Sequence, residues 1–167
     1  MKKLDIIELD SKDFTELTNQ VKNMISYEDP IKISKDIELI KSIFYKKLNY
    51  KKSSESVSEN DLKEEINFKK ILKKYKKNKE IFREKINNQE KRNLKEKENI
   101  INEINQLTEQ KELLNNTFSK FRSLQKKWND IGFVPIEFKT DIWQSYNHNV
   151  AKFYDYIKLN KELRDID

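Results

Sequence analysis

Residues 121–156, FRSLQKKWNDIGFVPIEFKTDIWQSYNHNVAKFYDY, hold the chain's single glycine, one of its two prolines and both of its tryptophans. On the incoming side Leu114, Thr117, Phe121, Leu124, Trp128 and Ile131 are spaced 3, 4, 3, 4, 3. That period places all six on one stripe of a helix. On the outgoing side Trp143, Tyr146, Val150, Phe153 and Ile157 are spaced 3, 4, 3, 4 and form a second stripe. Gly132 follows the last apolar position of the first stripe, where helices commonly end in a left-handed residue. Pro135 stands where a new helix can open, because a missing N–H costs nothing in a first turn. The stretch therefore predicts a helical hairpin with Trp128 and Trp143 on facing seams.

Working outward, 167 residues suit one domain, or one domain with an extension. With 35% hydrophobic and 38% charged residues, the chain can coat the seams of a few helices but not fill a large core. One Gly and two Pro leave few corners, so the elements should be few and long. A sheet protein would need many more turns. The fold class expected is all-α: extended helical hairpins with a long central helix and a C-terminal helical hairpin. The absence of Cys excludes disulfides, zinc–thiolate sites and thiol nucleophiles, and suits a reducing compartment. No apolar run reaches the roughly 20 residues that span a bilayer. The start, MKKLDIIELD, turns acidic too soon for a signal peptide. A cytoplasmic protein is expected, with membrane association disfavoured.

Residues 1–50 read as an N-terminal helical pair after a loose start over 1–9. Asp10 or Ser11 can cap a helix carrying Phe14, Leu17, Val21 and Met24, which Asp29-Pro30 ends. Pro30 or Ser34 then opens a second helix with Ile33, Ile37, Ile40, Phe44 and Leu48. Residues 51–60, KKSSESVSEN, are polar and serine-rich and read as a flexible linker, with Asn60 or Asp61 capping the next helix. Residues 61–167 form the main helical region. Leu62, Ile66, Leu72, Tyr75, Phe82 and Ile86 give one apolar stripe; Leu94, Ile100, Ile101, Ile104 and Leu107 give another. The polar interval between them allows either one long helix or two helices bent near Asn87-Asn88. A break near Thr108 leads into the hairpin. The last helix runs to about Leu163, as though cut inside a longer pattern. Phe82, Glu84 and Ile86 recur as Phe153, Asp155 and Ile157, each 71 residues later.

The string Leu124-Gln-Lys-Lys-Trp128-Asn-Asp-Ile131-Gly132-Phe-Val134-Pro135, then Trp143, then Phe153-Tyr154, resembles the bacterial domain of unknown function 349. That family's repeat reads approximately L-Q-x-x-W-K-x-I-G-P-V-P, then L-W-x-x-F, then paired aromatics. Residues 93–101, NLKEKENII, are similar to its N-L-x-x-K-x-x-L-I helix, and the resemblance extends over most of residues 30–165. Phe133 stands where the family prefers Pro, and Ile142 and Tyr146 replace Leu and Phe. The resemblance implies an all-helical fold, a repeat length close to the 71-residue echo, and no established activity. Its structural motif is Trp128, Ile131, Gly132, Val134, Pro135, Trp143 and Phe153.

Catalytic chemistry finds little footing. His148, the only histidine, lies off the apolar stripe, with no second His or Cys for a metal and no Ser or Cys partner spaced as a nucleophile. One glycine cannot build a phosphate-cradling loop. Carboxylates sit beside lysines, as solvated helix faces require. No enzyme activity, cofactor, metal or small-molecule substrate is expected.

The net charge is +6, and 31 of the 35 basic residues are lysine. The densest run is Lys69 to Lys85. Lys69, Lys70, Lys73, Lys74, Lys76, Lys77 and Arg83 are its candidate nucleic-acid contacts, most of them opposite Phe68, Leu72 and Tyr75 on a helix. Such a face is either simply solvated or a sequence-independent phosphate surface. Two functions are expected from these features. One is a non-enzymatic helical interaction module that docks a protein or its own copies; the alternative is RNA or ribosome binding through residues 69–85. Tyr154 and Phe133, off the seams, are the aromatics expected to contact partners.

Overall fold

The computed structural model describes residues 3–109 and 114–166. Six α-helices occur there: α1 (Ile6–Asp10), α2 (Phe14–Tyr27), α3 (Ser34–Ser53), α4 (Glu59–Leu107), α5 (Leu114–Asp130) and α6 (Lys139–Ile166). There is no strand among the described residues, so the fold is all-α as expected. Of the two readings of residues 62–107, the single helix is the one found: α4 passes Asn87-Asn88 without a break. The chain forms two compact units, residues 1–84 and 85–167, and α4 supplies a helix to each. The unit boundary thus falls inside a helix rather than at residues 51–60.

In the first unit, α2 and α3 fold back on one another and α3 runs antiparallel to the first half of α4. The direction follows from two pairs. Phe44 stacks on Phe68 at 4.0 Å, and Lys51 bridges to Asp61 at 3.1 Å. A step of seven residues forward on α3 is a step of seven back on α4. Phe14, Leu17, Val21, Ile33, Ile37, Ile40, Phe44, Leu48 and Phe68 are buried in one cluster. Burying a side chain of this size contributes about 2 kcal/mol of transfer free energy. The expected loose start needs correction. Asp5 caps α1, accepting from the Ile7 N–H at 3.0 Å, and Leu9 is buried in the core. The cap of α2 is Asp13, which accepts from the Glu16 N–H at 2.7 Å, rather than Asp10 or Ser11.

Of residues 51–60, read from the sequence as a flexible linker, 51–53 and 59–60 lie in helices and the rest carries its own hydrogen bonds. α3 continues to Ser53. It then closes with two reversed bonds, from Ser56 N–H to the Lys51 carbonyl and from Glu55 N–H to the Lys52 carbonyl. This pairing is the one that terminates helices around a left-handed residue. Glu55 takes that conformation, with φ of 54°, where glycine would be unstrained. Ser58 and Asp61 then cap α4 reciprocally. Ser58 Oγ accepts from the Asp61 N–H at 3.1 Å, and Asp61 Oδ2 accepts from the Ser58 N–H at 3.0 Å.

The second unit packs the end of α4 against α5 and α6. Phe121 stacks on Phe153 at 4.0 Å, and Trp128 stacks on Tyr146 at 3.9 Å. Again seven residues forward on one helix are seven back on the other, so α5 and α6 are antiparallel and the chain reverses at the predicted place. Lys97 lies over the Trp128 ring at 4.6 Å, and Asn93 reaches the Phe133 carbonyl at 2.7 Å. These two pairs set α4 antiparallel to α5 by the same logic. Pro135 precedes a single 3-10 turn, Ile136–Phe138, which leads directly into α6.

Two expectations for this unit fail. Gly132 does not adopt a positive φ. What crowds a side chain there is proximity, since a Cβ would sit 3.2 Å from the Asn93 amide nitrogen. Trp143 is not on the seam. It is 61% exposed, against 7% for Trp128, and the buried residue of that turn is its neighbour Ile142. The seam of α6 is Ile142, Tyr146 and Phe153, with Val150 and Ile157 partly buried beside them.

Candidate interaction surfaces

Two surfaces stand out once the core is assigned. The basic run lies on α4 within the first unit. Its packed side carries buried Phe68 and Tyr75 with partly buried Ile71 and Leu72. The predicted stripe through Leu62, Ile66 and Ile86 is therefore displaced, and all three are exposed. The reason lies at the start of α4, where Asp61 is drawn to Lys51 and Ser58. That fixes Asp61, Phe68 and Tyr75, seven residues apart, as the inward row.

The lysines then divide. Lys69 pairs with Glu65 at 3.2 Å, and Lys79 donates to Ser34 Oγ at 2.9 Å. Lys70, Lys73, Lys74, Lys76, Lys77 and Arg83 are exposed, and the ion pairs among the described residues include none of them. Taking Phe68 as the inward direction and 100° per residue, Lys70, Lys73, Lys74 and Lys77 fall on the far side of α4.

The other surface is the corner between α5 and α6. Phe133 and Ile136 are 81% and 86% exposed, and Phe138 and Trp143 are exposed with them. Val134 alone of this segment is buried, and it anchors the loop to the core. Asn93 holds the loop from behind. It is buried, donates to the Phe133 carbonyl and accepts from Gln89 Nε2 at 2.9 Å. The corner's large apolar side chains are thus displayed on a fixed backbone. Phe133 is outside the seams, as expected; Tyr154 is exposed too, with its ring edge-on to Phe121. Ile136 and Phe138 carry no periodic signal, because they stand between Pro135 and the second helix.

The structural motif residues divide in the same way. Trp128, Val134 and Phe153 are buried, Ile131 and Pro135 are partly buried, Gly132 lies against Asn93, and Trp143 faces outward. Burial pulls the Lys97 ammonium below the usual lysine range and pushes the Tyr146 phenol up, the latter opposed by a hydrogen bond with Gln125.

A cavity of about 640 Å³ opens in the first unit beside Phe14, Lys47, Tyr50, Lys51 and Asp61. Asp10, Asp13, Asp61 and Glu64 balance Lys12, Lys46, Lys47 and Lys51 around it. Several of these charges serve the fold: Lys47 donates to the Lys12 carbonyl, and Lys51 holds Asp61. His148 is exposed on α6. No cluster of His, Asp and Glu able to hold a metal occurs among the described residues. No helix there is long and apolar enough to cross a membrane.

The class these features define is a helical protein with two aromatic-cored units, a lysine-lined helix face and an exposed apolar corner. Within it, residues 65–137 match the model of the family described as Domain of Unknown Function (DUF349). The match takes in most of α4, all of α5 and the corner through Glu137, and stops before α6. No curated protein and no solved structure matches the chain.

Proposed function

We propose that this chain is a non-enzymatic helical interaction module that docks a macromolecular partner through the corner between α5 and α6. The observation that carries the reading is the exposure of Phe133, Ile136, Phe138 and Trp143 on a loop pinned by Val134 and Asn93. Clustered aromatic and aliphatic side chains on a rigid frame supply binding energy at little ordering cost, and Trp is among the residues that dominate interfaces. Ile136→Ser with Trp143→Ser should leave helicity intact and abolish co-purification of a protein partner from the native cell. A partner that survives nuclease treatment and is lost with these two substitutions supports docking at the corner. Unchanged recovery by the variant would refute it.

A second reading is favoured by a separate observation, the exposed Lys70, Lys73, Lys74, Lys76, Lys77 and Arg83, which no ion pair among the described residues engages. In this reading the face binds the phosphate backbone of RNA without sequence preference, since lysine offers point charges rather than bidentate base contacts. Affinity for generic RNA should then fall steeply with salt and collapse on charge reversal of Lys73, Lys74, Lys76 and Lys77. Binding that ignores both salt and charge reversal would exclude this surface.

A further inference from the structure

We infer that the apolar corner of one copy docks on the lysine face of α4 in a second copy, giving head-to-tail association of the chain. The inference rests on the docking role of the corner and names its occupant.

Three features argue for it. The first is charge. Asp130, Glu137 and Asp141 ring the corner, all exposed, against Lys139 alone; Lys126 and Lys127 lie a turn further back on α5. The far side of α4 is the opposite over residues 70–77, with Lys70, Lys73, Lys74 and Lys77 exposed and outside the ion pairs of the described residues; the exposed acids Glu80 and Glu84 follow on that side only beyond Lys77. The second is apolar area. Ile66 and Ile81 are exposed, and at 100° per residue both fall on the same side of α4 as those lysines. The face thus offers aliphatic surface on either side of those cations, suited to Phe133, Ile136 and Trp143. A phosphate surface has no use for two isoleucines. The third is rigidity. Both surfaces are presented by regular or pinned backbone, so docking orders little.

The two surfaces differ, so the contact is heterologous and each copy keeps one free end. Each contributes only a few side chains, which places the interface at the small, transient end of the range, with dissociation constants on the order of tens of micromolar. The pairing of opposite charges makes it salt-sensitive. It also makes polyanion binding and self-association compete for the same lysines.

The test is a concentration series by sedimentation velocity on the full chain, at about 50 mM and about 500 mM salt. The expected result is reversible growth with concentration at low salt that recedes at high salt. Ile136→Ser with Trp143→Ser, and separately Lys73→Glu with Lys74→Glu, should each weaken association by about tenfold or more. Every substituted residue is exposed, and circular dichroism checks that helicity is kept. An equimolar mixture of the two variants is the decisive sample. Each retains the surface the other lacks, so the mixture should form a one-to-one dimer while either alone stays monomeric. A monomer at all concentrations overturns the inference. So does wild-type association that the mixture fails to restore, and so does undiminished association of the Lys73→Glu, Lys74→Glu variant alone, which a corner-to-corner dimer would show. Capture of a foreign partner at the corner without self-association also overturns it, while leaving the docking role of the corner standing.

Discussion

The two units solve the same packing problem with different closures. Each sets helices antiparallel around a face-to-face aromatic pair, Phe44 with Phe68 in one and Phe121 with Phe153 in the other. The first unit then fastens its elements with charge. The ion pairs Lys51–Asp61, Lys52–Glu65 and Lys69–Glu65 all lie there, and the described residues of the second unit show none. The second fastens its corner with one amide, Asn93, and leaves aromatics outside. Of the large aromatics exposed among the described residues, Phe133, Phe138, Trp143 and Tyr154 belong to the second unit and Tyr50 to the first. A stacked pair and a seven-residue step are enough to specify the helix arrangement. The remaining surface is then free to specialise, towards charge in one unit and towards apolar contact in the other.

The sharpest way to break the comparison is to remove the stacks. Phe44→Ala and Phe121→Ala should each cost about 3–5 kcal/mol, the usual range for a buried phenylalanine. Hydrogen exchange should show the loss confined to the unit that carries the substitution, outside the shared α4. Equal loss of protection in both units would mean that they are one cooperative body. Next in size is the amide clamp. Asn93→Ala strips the Phe133 carbonyl of its donor and should destabilise the second unit by about 1–2 kcal/mol in urea unfolding. It should leave the first unit's transition where it was.

Two smaller effects test the first unit's own closure. Glu55 holds a left-handed conformation that costs about 1–2 kcal/mol for a residue with a Cβ, partly offset because glycine gains freedom in the unfolded chain. Glu55→Gly should therefore raise stability by about 0.5 kcal/mol, read as a higher midpoint of unfolding. Asp61 gives a pH signature. Its carboxyl is held below the usual carboxylate range, chiefly by the Ser58 backbone N–H, with Lys51 adding to it and burial opposing. A depressed folded pKa means the unfolded chain takes up the proton first. The stabilisation is complete above the unfolded carboxylate range and is lost as pH falls through the folded value. Acid titration of unfolding should show this loss in the first unit, and Asp61→Asn should flatten it.

Much of this is legible in the sequence, and the failures have a common cause. Trp128, Phe121, Tyr146 and Phe153 fall on the predicted seams because each is large, apolar and in phase, and they are buried. Trp143 and Ile142 are adjacent and about 100° apart on a helix, and either continues the stripe. Periodicity says which residues are fit for burial but not which of two neighbours faces inward. Leu62 and Ile66 go astray the same way, once the Ser58–Asp61 cap and Lys51 fix the rotation of α4. Residues 51–60 look flexible because their order comes from backbone and hydroxyl hydrogen bonds, which leave no hydrophobic pattern. The exposed corner is half legible: Phe133 stands out of phase, but Ile136 and Phe138 sit in a turn where phase has no meaning.

The tight approach of Asn93 to Gly132 ties two positions, 39 residues apart in sequence, into one inheritance. Because the glycine keeps an ordinary φ, nothing in its own backbone forbids a larger residue; the resistance comes from its neighbour across the helix. A bulkier residue at 132 has to displace the asparagine amide by a few tenths of an ångström and meets no such contact beside alanine, whereas asparagine is wanted only while the loop carbonyl needs its donor. The two sites should therefore drift together or not at all.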